Sequence, residues 1–153
     1  MGRMIRGFAV AVAVMSLITC GGGSSDTAPT SSGSIVTDTL TGTVPPPING
    51  VLQVGVSFFN VGQSGGTVTI VLTSAIEKFP DGTFLTTVPM GLTAGTPSGS
   101  GCTISATNPP AIVSAGPNSG IAASLTAGAY CVQVSDVTNQ VGPVSYTVVV
   151  QHP

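Results

Sequence analysis

The sequence predicts an all-β protein, a small antiparallel β-sandwich. Three observations carry this. From residue 35 onward, no stretch of ten residues shows a 3.6-residue apolar period, so amphipathic helices are not expected. Short runs rich in Val, Ile, Thr and Tyr alternate apolar with polar, the period of a half-buried strand. The runs are cut by turn formers, with 21 Gly and 12 Pro in 153 residues.

The elements follow in order. An opening strand is expected over 35–43, stopped at Pro45-Pro46-Pro47 because proline donates no ladder hydrogen bond. In 52–58, Leu52, Val54, Val56 and Phe58 fall on one face. Gly65-Gly66 reads as a turn. A strand over 67–73 then puts Val68, Ile70 and Leu72 on one face and mostly Thr on the other. Pro80-Asp81-Gly82 is a turn signal. A short strand over 86–92 is expected to be interrupted by Pro89. Further strands are read at 102–106 and 121–125, the second running into a tight turn at Thr126-Ala127-Gly128. Tyr130, Val132 and Val134 alternate with Cys131, Gln133 and Ser135. Val144, Tyr146, Val148 and Val150 alternate with Ser145, Thr147, Val149 and Gln151. These last two runs are expected to pair as a long hairpin at the centre of a sheet. Cys131 then lies on the face opposite Tyr130, so a bridge from it would staple an outer face or an edge.

Upstream of the strands the chain changes character. Arg3 and Arg6 precede an apolar run that continues to Leu17-Ile18-Thr19-Cys20. The run from Gly7 to Thr19 has 13 residues, short of the ~20 that span a bilayer as a helix. A charged start, a short apolar run and a cysteine at the expected cut form a secretory signal pattern. It resembles a bacterial lipoprotein signal peptide with its lipobox. Leu17 and Ile18 fit that motif, while Thr19 replaces the usual Gly, Ala or Ser. The resemblance implies a signal over 1–19, lipidation of Cys20 and a cut just before it. Gly21 follows where an inner-membrane retention signal carries Asp, which leaves outer-membrane sorting open. Residues 20–34 form a tether, and 21–34 are Gly, Ser, Thr, Pro and Ala with one Asp, flexible and disordered by composition. Fourteen such residues reach up to ~45 Å. The domain proper is 35–153.

Charge is scarce throughout. Charged residues make up 5%, against about a quarter in an average domain. Beyond the signal, Lys78 faces Asp26, Asp38, Glu77, Asp81 and Asp136. No basic patch exists to neutralise phosphates, so nucleic acid is not an expected partner. Three cysteines are an odd number. With Cys20 assigned to lipid, Cys102 and Cys131 remain to pair in an oxidising compartment. Closing about 30 residues by that bridge contributes roughly 3–4 kcal/mol in the chain-entropy picture.

The order of features is similar to a known family. A strand carrying Phe58 leads through a glycine turn to a run from Gly66 to Ser74. Leu125-Thr126-Ala127-Gly128-Ala129-Tyr130-Cys131-Val132-Gln133-Val134 follows, and Tyr146-Thr147-Val148-Val149-Val150 closes the pattern. This resembles the bacterial pre-peptidase C-terminal domain over roughly residues 38–152. The resemblance implies a jelly-roll-like β-sandwich, often attached to secreted proteases. The acidic segment of that family is replaced here by Pro89-Met90-Gly91-Leu92, so its calcium and matrix binding do not carry over by motif. An immunoglobulin-like sandwich would want a core Trp, and the chain has none.

Catalytic chemistry is not apparent. A nucleophile needs a base and an orienting group. The only histidine is His152, and the only lysine is Lys78, beside Glu77. Asp81-Gly82 lacks the alternating acids of a calcium loop, while Asp136 with Asn139 offers loop oxygens. Two cysteines without nearby histidines make a poor metal site. No catalytic residue, metal or cofactor is therefore expected. Tyr130 and Tyr146 are read as core side chains whose hydroxyls reach backbone partners. Phe59, Phe79 and Phe84 are the aromatic candidates for a contact surface. The expected protein is a non-enzymatic, lipid-anchored module of the cell envelope, at the outer membrane, periplasmic face or cell surface. Its partners would be the membrane, through the anchor, and an envelope protein or glycan. The alternatives are an accessory domain for a secreted protease, or a calcium- or glycan-binding sandwich.

Overall fold

A computed structural model describes residues 34–105, 109–137 and 140–153. The signal, Cys20 and nearly all of the tether, up to residue 33, lie outside the described residues. What is described is all-β, two antiparallel sheets packed face to face. The strands are β1 Val36–Val44, β2 Val54–Val61, β3 Gly66–Lys78, β4 Phe84–Leu85 and β5 Pro89–Ser98. They continue as β6 Gly101–Thr103, β7 Ala111–Ser114, β8 Gly120–Leu125, β9 Gly128–Ser135 and β10 Val144–His152. The first sheet runs β1-β10-β3, with β4 and β8 sharing the far edge of β3. The second runs β2-β9-β5, extended by β6 and β7 along β5.

The alternating patterns define most of the core. Val68, Ile70 and Leu72 of β3 meet Val132 and Val134 of β9, with Met90 and Leu92 of β5, in one buried cluster. Val144, Val148 and Val150 of β10 join them. Several expectations need correction. β9 and β10 do not pair as a hairpin: β9 lies between β2 and β5, and β10 between β1 and β3. Each run is apolar enough to sit inside a sheet with two neighbours, so their connection crosses between the sheets. Pro89 does not interrupt a strand but starts one, where a missing donor is tolerated. β4 and β7 are too short to give a readable period.

β2 presents the opposite face from its apolar alternation. Gly55, Ser57, Phe59 and Val61 point inward, and Val54 and Phe58 are left partly exposed on the other face. The cause is Tyr146. Its ring lies over Gly42, its cross-strand partner on β1, and against Gly55 on β2. A side chain at either glycine would collide with that ring. The hydroxyl pairs with Ser57 Oγ at 3.2 Å, a side-chain partner rather than the expected backbone one. Tyr146 thus links the two sheets where β1 and β2 face each other without hydrogen bonding.

Cys102 and Cys131 form a disulfide with Cα atoms 5.8 Å apart. Cys131 points to the outer side of the second sheet, as its alternation with Tyr130 indicates, yet it is fully buried. The segment after β5 folds back over that face. The Thr103 carbonyl, Ile104 and Cys102 Sγ lie above Gly95, and Pro110 lies near Gly91. Thr93 between these glycines is buried as well. The outer face of the first sheet is different, with Thr37, Thr39, Thr41 and Thr43 exposed in a row along β1.

Gly55→Ala and Gly42→Ala should each lower stability by about 1–3 kcal/mol, since the rigid ring has to move. Tyr146→Phe should lose only about 0.5–1.5 kcal/mol, the hydroxyl contact alone. Urea unfolding of the oxidised protein measures both, and equal losses for all three variants would refute this account.

Candidate functional site

One end of the sandwich gathers 45–53, 79–83 and the described parts of a third connection, 136–137 and 140–143. They meet there because β1 and β3 end, and β10 begins, at the same level of the first sheet, with Val44 opposite Val144 and Val144 opposite Glu77. The chain enters β1 at the other end, where Val36 pairs with His152.

The loop end is built on Glu77. Its position follows from a bulge in β3. Thr147 pairs with Ser74 and Val148 with Leu72, so Thr73 has no opposite residue. One extra residue reverses the inward parity. Even positions face the core up to Leu72, and odd positions, Ala75 and Glu77, face it afterward. Glu77 is only 1% exposed. Its Oε1 accepts the backbone N–H groups of Val141 and Gly142, the second at 2.7 Å. Gly142 also packs on the Lys78 carbonyl so closely that no side chain fits. Gln140, also buried, donates from Nε2 to the carbonyls of Val44 and Gly142 at 2.8 Å and of Pro45 at 3.1 Å. Asp136 N–H donates to the Gln53 carbonyl, and Lys78 N–H to the Pro143 carbonyl. Two buried side chains thus tie the third connection to the ends of β1 and β3, and backbone hydrogen bonds add to them.

On this fixed backbone, apolar side chains stand in solvent. Ile48-Asn49-Gly50-Val51 is a two-residue hairpin with φ of 53° at Asn49 and 76° at Gly50, the positive pair of a type I′ turn. Ile48 and Val51 exchange both backbone hydrogen bonds across it. Their side chains are 57% and 61% exposed, Phe84 62% and Val141 64%. The 79–83 turn closes through Phe79 N–H to the Thr83 carbonyl. Asp81 Oδ1 accepts from both the N–H and the hydroxyl of Thr83, which holds the Asp81 carboxyl below its usual range. A cavity of about 380 Å³ lies among Pro46, Lys78, Phe79, Pro80, Val141 and Pro143.

The aromatic contact candidates divide here. Phe84 is exposed and Phe79 half-buried in the cavity wall. Phe59 is buried, stacked on Tyr130 at 5.8 Å and beside His152 at 5.9 Å, because β2 faces the other way. Tyr130 reaches the Thr126 carbonyl at 3.1 Å, as its sequence position suggested. The Asn49-Gly50 turn signal is legible in the sequence. Nothing in the sequence marks Glu77 as buried.

At the opposite end, His152 is 5% exposed. Its Nε2 lies 3.0 Å from Asp38 Oδ2, and its Nδ1 3.0 Å from the Pro153 oxygen. Both ring nitrogens are engaged away from any serine hydroxyl. Burial disfavours the imidazolium, but the Pro153 oxygen and Asp38 outweigh it, so the pKa lies above the ordinary 6.5. Among the described residues, no three His, Cys, Asp or Glu side chains gather where a metal would bind. Asp81 and Asp136 belong to different connections of the loop end, and Asn139 lies outside the described residues. No helix among the described residues is long and apolar enough to cross a membrane.

No family model, no curated protein and no solved structure matches this chain. Its function is therefore argued from its surface and not from kinship.

Two outcomes test these assignments. Glu77→Ala strips two backbone amides of their acceptor and should cost about 2–3 kcal/mol, with faster amide exchange at Val141 and Gly142. A loss no larger than that of an exposed substitution would refute the clamp. A His pKa raised on folding adds stability that is complete below pH 6.5 and disappears as pH climbs through the folded value. The melting temperature should therefore fall as pH rises above 6.5 through the folded value, and Asp38→Asn should flatten that slope.

Proposed function

We propose that this protein is a lipid-anchored, non-enzymatic binding module of the cell envelope, with its loop end as the contact face. The observation that carries this is the pairing of exposed apolar side chains with a rigid backbone. Ile48, Val51, Phe84 and Val141 stand in solvent, while Glu77 and Gln140 hold the backbone at Pro45, Val141 and Gly142. Exposed apolar clusters on soluble domains mark interaction sites. A surface ordered in advance loses less freedom on binding, so the same contacts give tighter association.

The anchor rests on Leu17-Ile18-Thr19-Cys20 behind a short apolar run. Two or three acyl chains on Cys20 would hold the protein firmly, since each buried methylene contributes about 0.8 kcal/mol. The tether joins the domain at the start of β1, away from the loop end. A domain held this way presents its loops to an envelope protein or glycan. Scarce charge suits the same role, because a tethered protein meets few free copies of itself and needs little repulsion for solubility.

Mass spectrometry of the protein extracted from its native membrane should give Cys20 to Pro153 plus acyl chains, rising by two protons on reduction. An unacylated mass would remove the anchor. A photocrosslinking residue at Val51 should capture an envelope component, and one at Thr39 should not. Val141→Asp should abolish the Val51 crosslink without lowering the melting temperature. A crosslink indifferent to that change would remove the loop end as the contact face.

A further inference from the structure

We infer that the loop-end cavity takes an apolar peptide segment of a partner protein that carries a carboxylate, with Lys78 meeting that carboxylate. The inference rests on the reading of the loop end as the contact face and names what it recognises. Pro46, Pro80 and Pro143 give three walls of the cavity, and Phe79 and Val141 complete it. Proline carries no N–H and a fixed φ, so these walls are rigid and offer no backbone donor. At about 380 Å³ the space is at the small end of ligand sites, the scale of one or two large side chains.

Lys78 supplies the selectivity. It is the one Lys or Arg among the described residues, where Asp38, Glu77, Asp81 and Asp136 carry the opposite sign. It nevertheless joins no ion pair, the pair found among the described residues being His152 with Asp38. Its neighbour Glu77 is turned inward onto the Val141 and Gly142 amides, a consequence of the Thr73 bulge. Asp81 is engaged by Thr83. Neither acid pairs with Lys78, and Lys78 lines the cavity. Charge complementarity across an interface favours partners of opposite sign. Ile48 and Val51 on the 45–53 connection, and Phe84 and Leu85 beside Glu77 and Lys78 on β3, add exposed apolar side chains at this end, which favours a polypeptide over a small carboxylate.

The test is an NMR titration of the isotope-labelled full-length protein in detergent micelles. The probe is a short acetylated, amidated peptide with leucine beside aspartate, compared with the same peptide carrying asparagine. Saturable shifts should appear at the Lys78, Phe79, Val141 and Gly142 amides. Affinity should drop about two- to fivefold with the asparagine peptide or in Lys78→Gln, the range an exposed ion pair supplies. It should drop similarly in about 0.5 M salt. Equal response to both peptides, or shifts away from the cavity, would overturn the inference. So would co-sedimentation of the Cys20→Ala chain with phosphatidylethanolamine–phosphatidylglycerol vesicles through Ile48 and Val51, which would assign the end to a membrane. Loss of peptide binding with a persisting Val51 crosslink removes only the ligand class. Loss of both removes the contact face.

Discussion

The loop end depends on one buried carboxyl. Glu77 is turned inward by a single unpaired residue, Thr73, and there holds the Val141 and Gly142 amides. An inward carboxyl without partners would be strongly destabilising, and one that accepts backbone hydrogen bonds instead fixes the segment supplying them. The 136–143 connection has to cross from the second sheet to the first, since β9 and β10 belong to different sheets. Glu77 fixes it from below, and Gln140 ties it to the end of β1. Without that pair, the apolar residues at this end would sit on loose loops.

The body of the sandwich is fixed by different means at two other places. On the open side, Tyr146 bridges the sheets across two glycines, so a polar contact and a shape match replace strand pairing. On the outer face of the second sheet, the disulfide draws the segment after β5 down onto Gly91 and Gly95. That segment covers a face the alternation alone would leave to solvent. The first sheet keeps its outer face free, and Thr makes it wettable without charge. The chain therefore reaches a soluble surface with hydroxyls where most domains use Lys and Glu.

The scarcity of charge makes each charged group informative. His152 and Asp38 pair at the end where β1 begins. Glu77 is consumed by the clamp and Asp81 by its turn. Lys78 is left at a rigid apolar cavity. An average surface would bury that signal among dozens of exposed ion pairs, most contributing little. Here Lys78 is the one Lys or Arg that the described residues of the loop end carry, beside the acids Glu77, Asp81 and Asp136.

Much of the fold was legible in the sequence. Period-two alternation placed the cores of β3, β9 and β10, because a strand with one buried face must alternate. The parity of Cys131 against Tyr130 put the disulfide on an outer face, because successive side chains point to opposite sides. Glycine and proline marked the turns through local backbone sterics, which need no tertiary partner. Asn49-Gly50 was equally local and equally legible. The tertiary structure alone decided the rest. The inward face of β2 was chosen by the ring of Tyr146, remote in sequence, over the apolar pattern of β2 itself. The separation of β9 from β10 depended on which neighbours could flank each strand. Glu77 became a clamp because a bulge reversed parity four residues earlier. Each of these is a long-range packing choice between alternatives that local sequence leaves nearly equal, and only assembled neighbours break the tie.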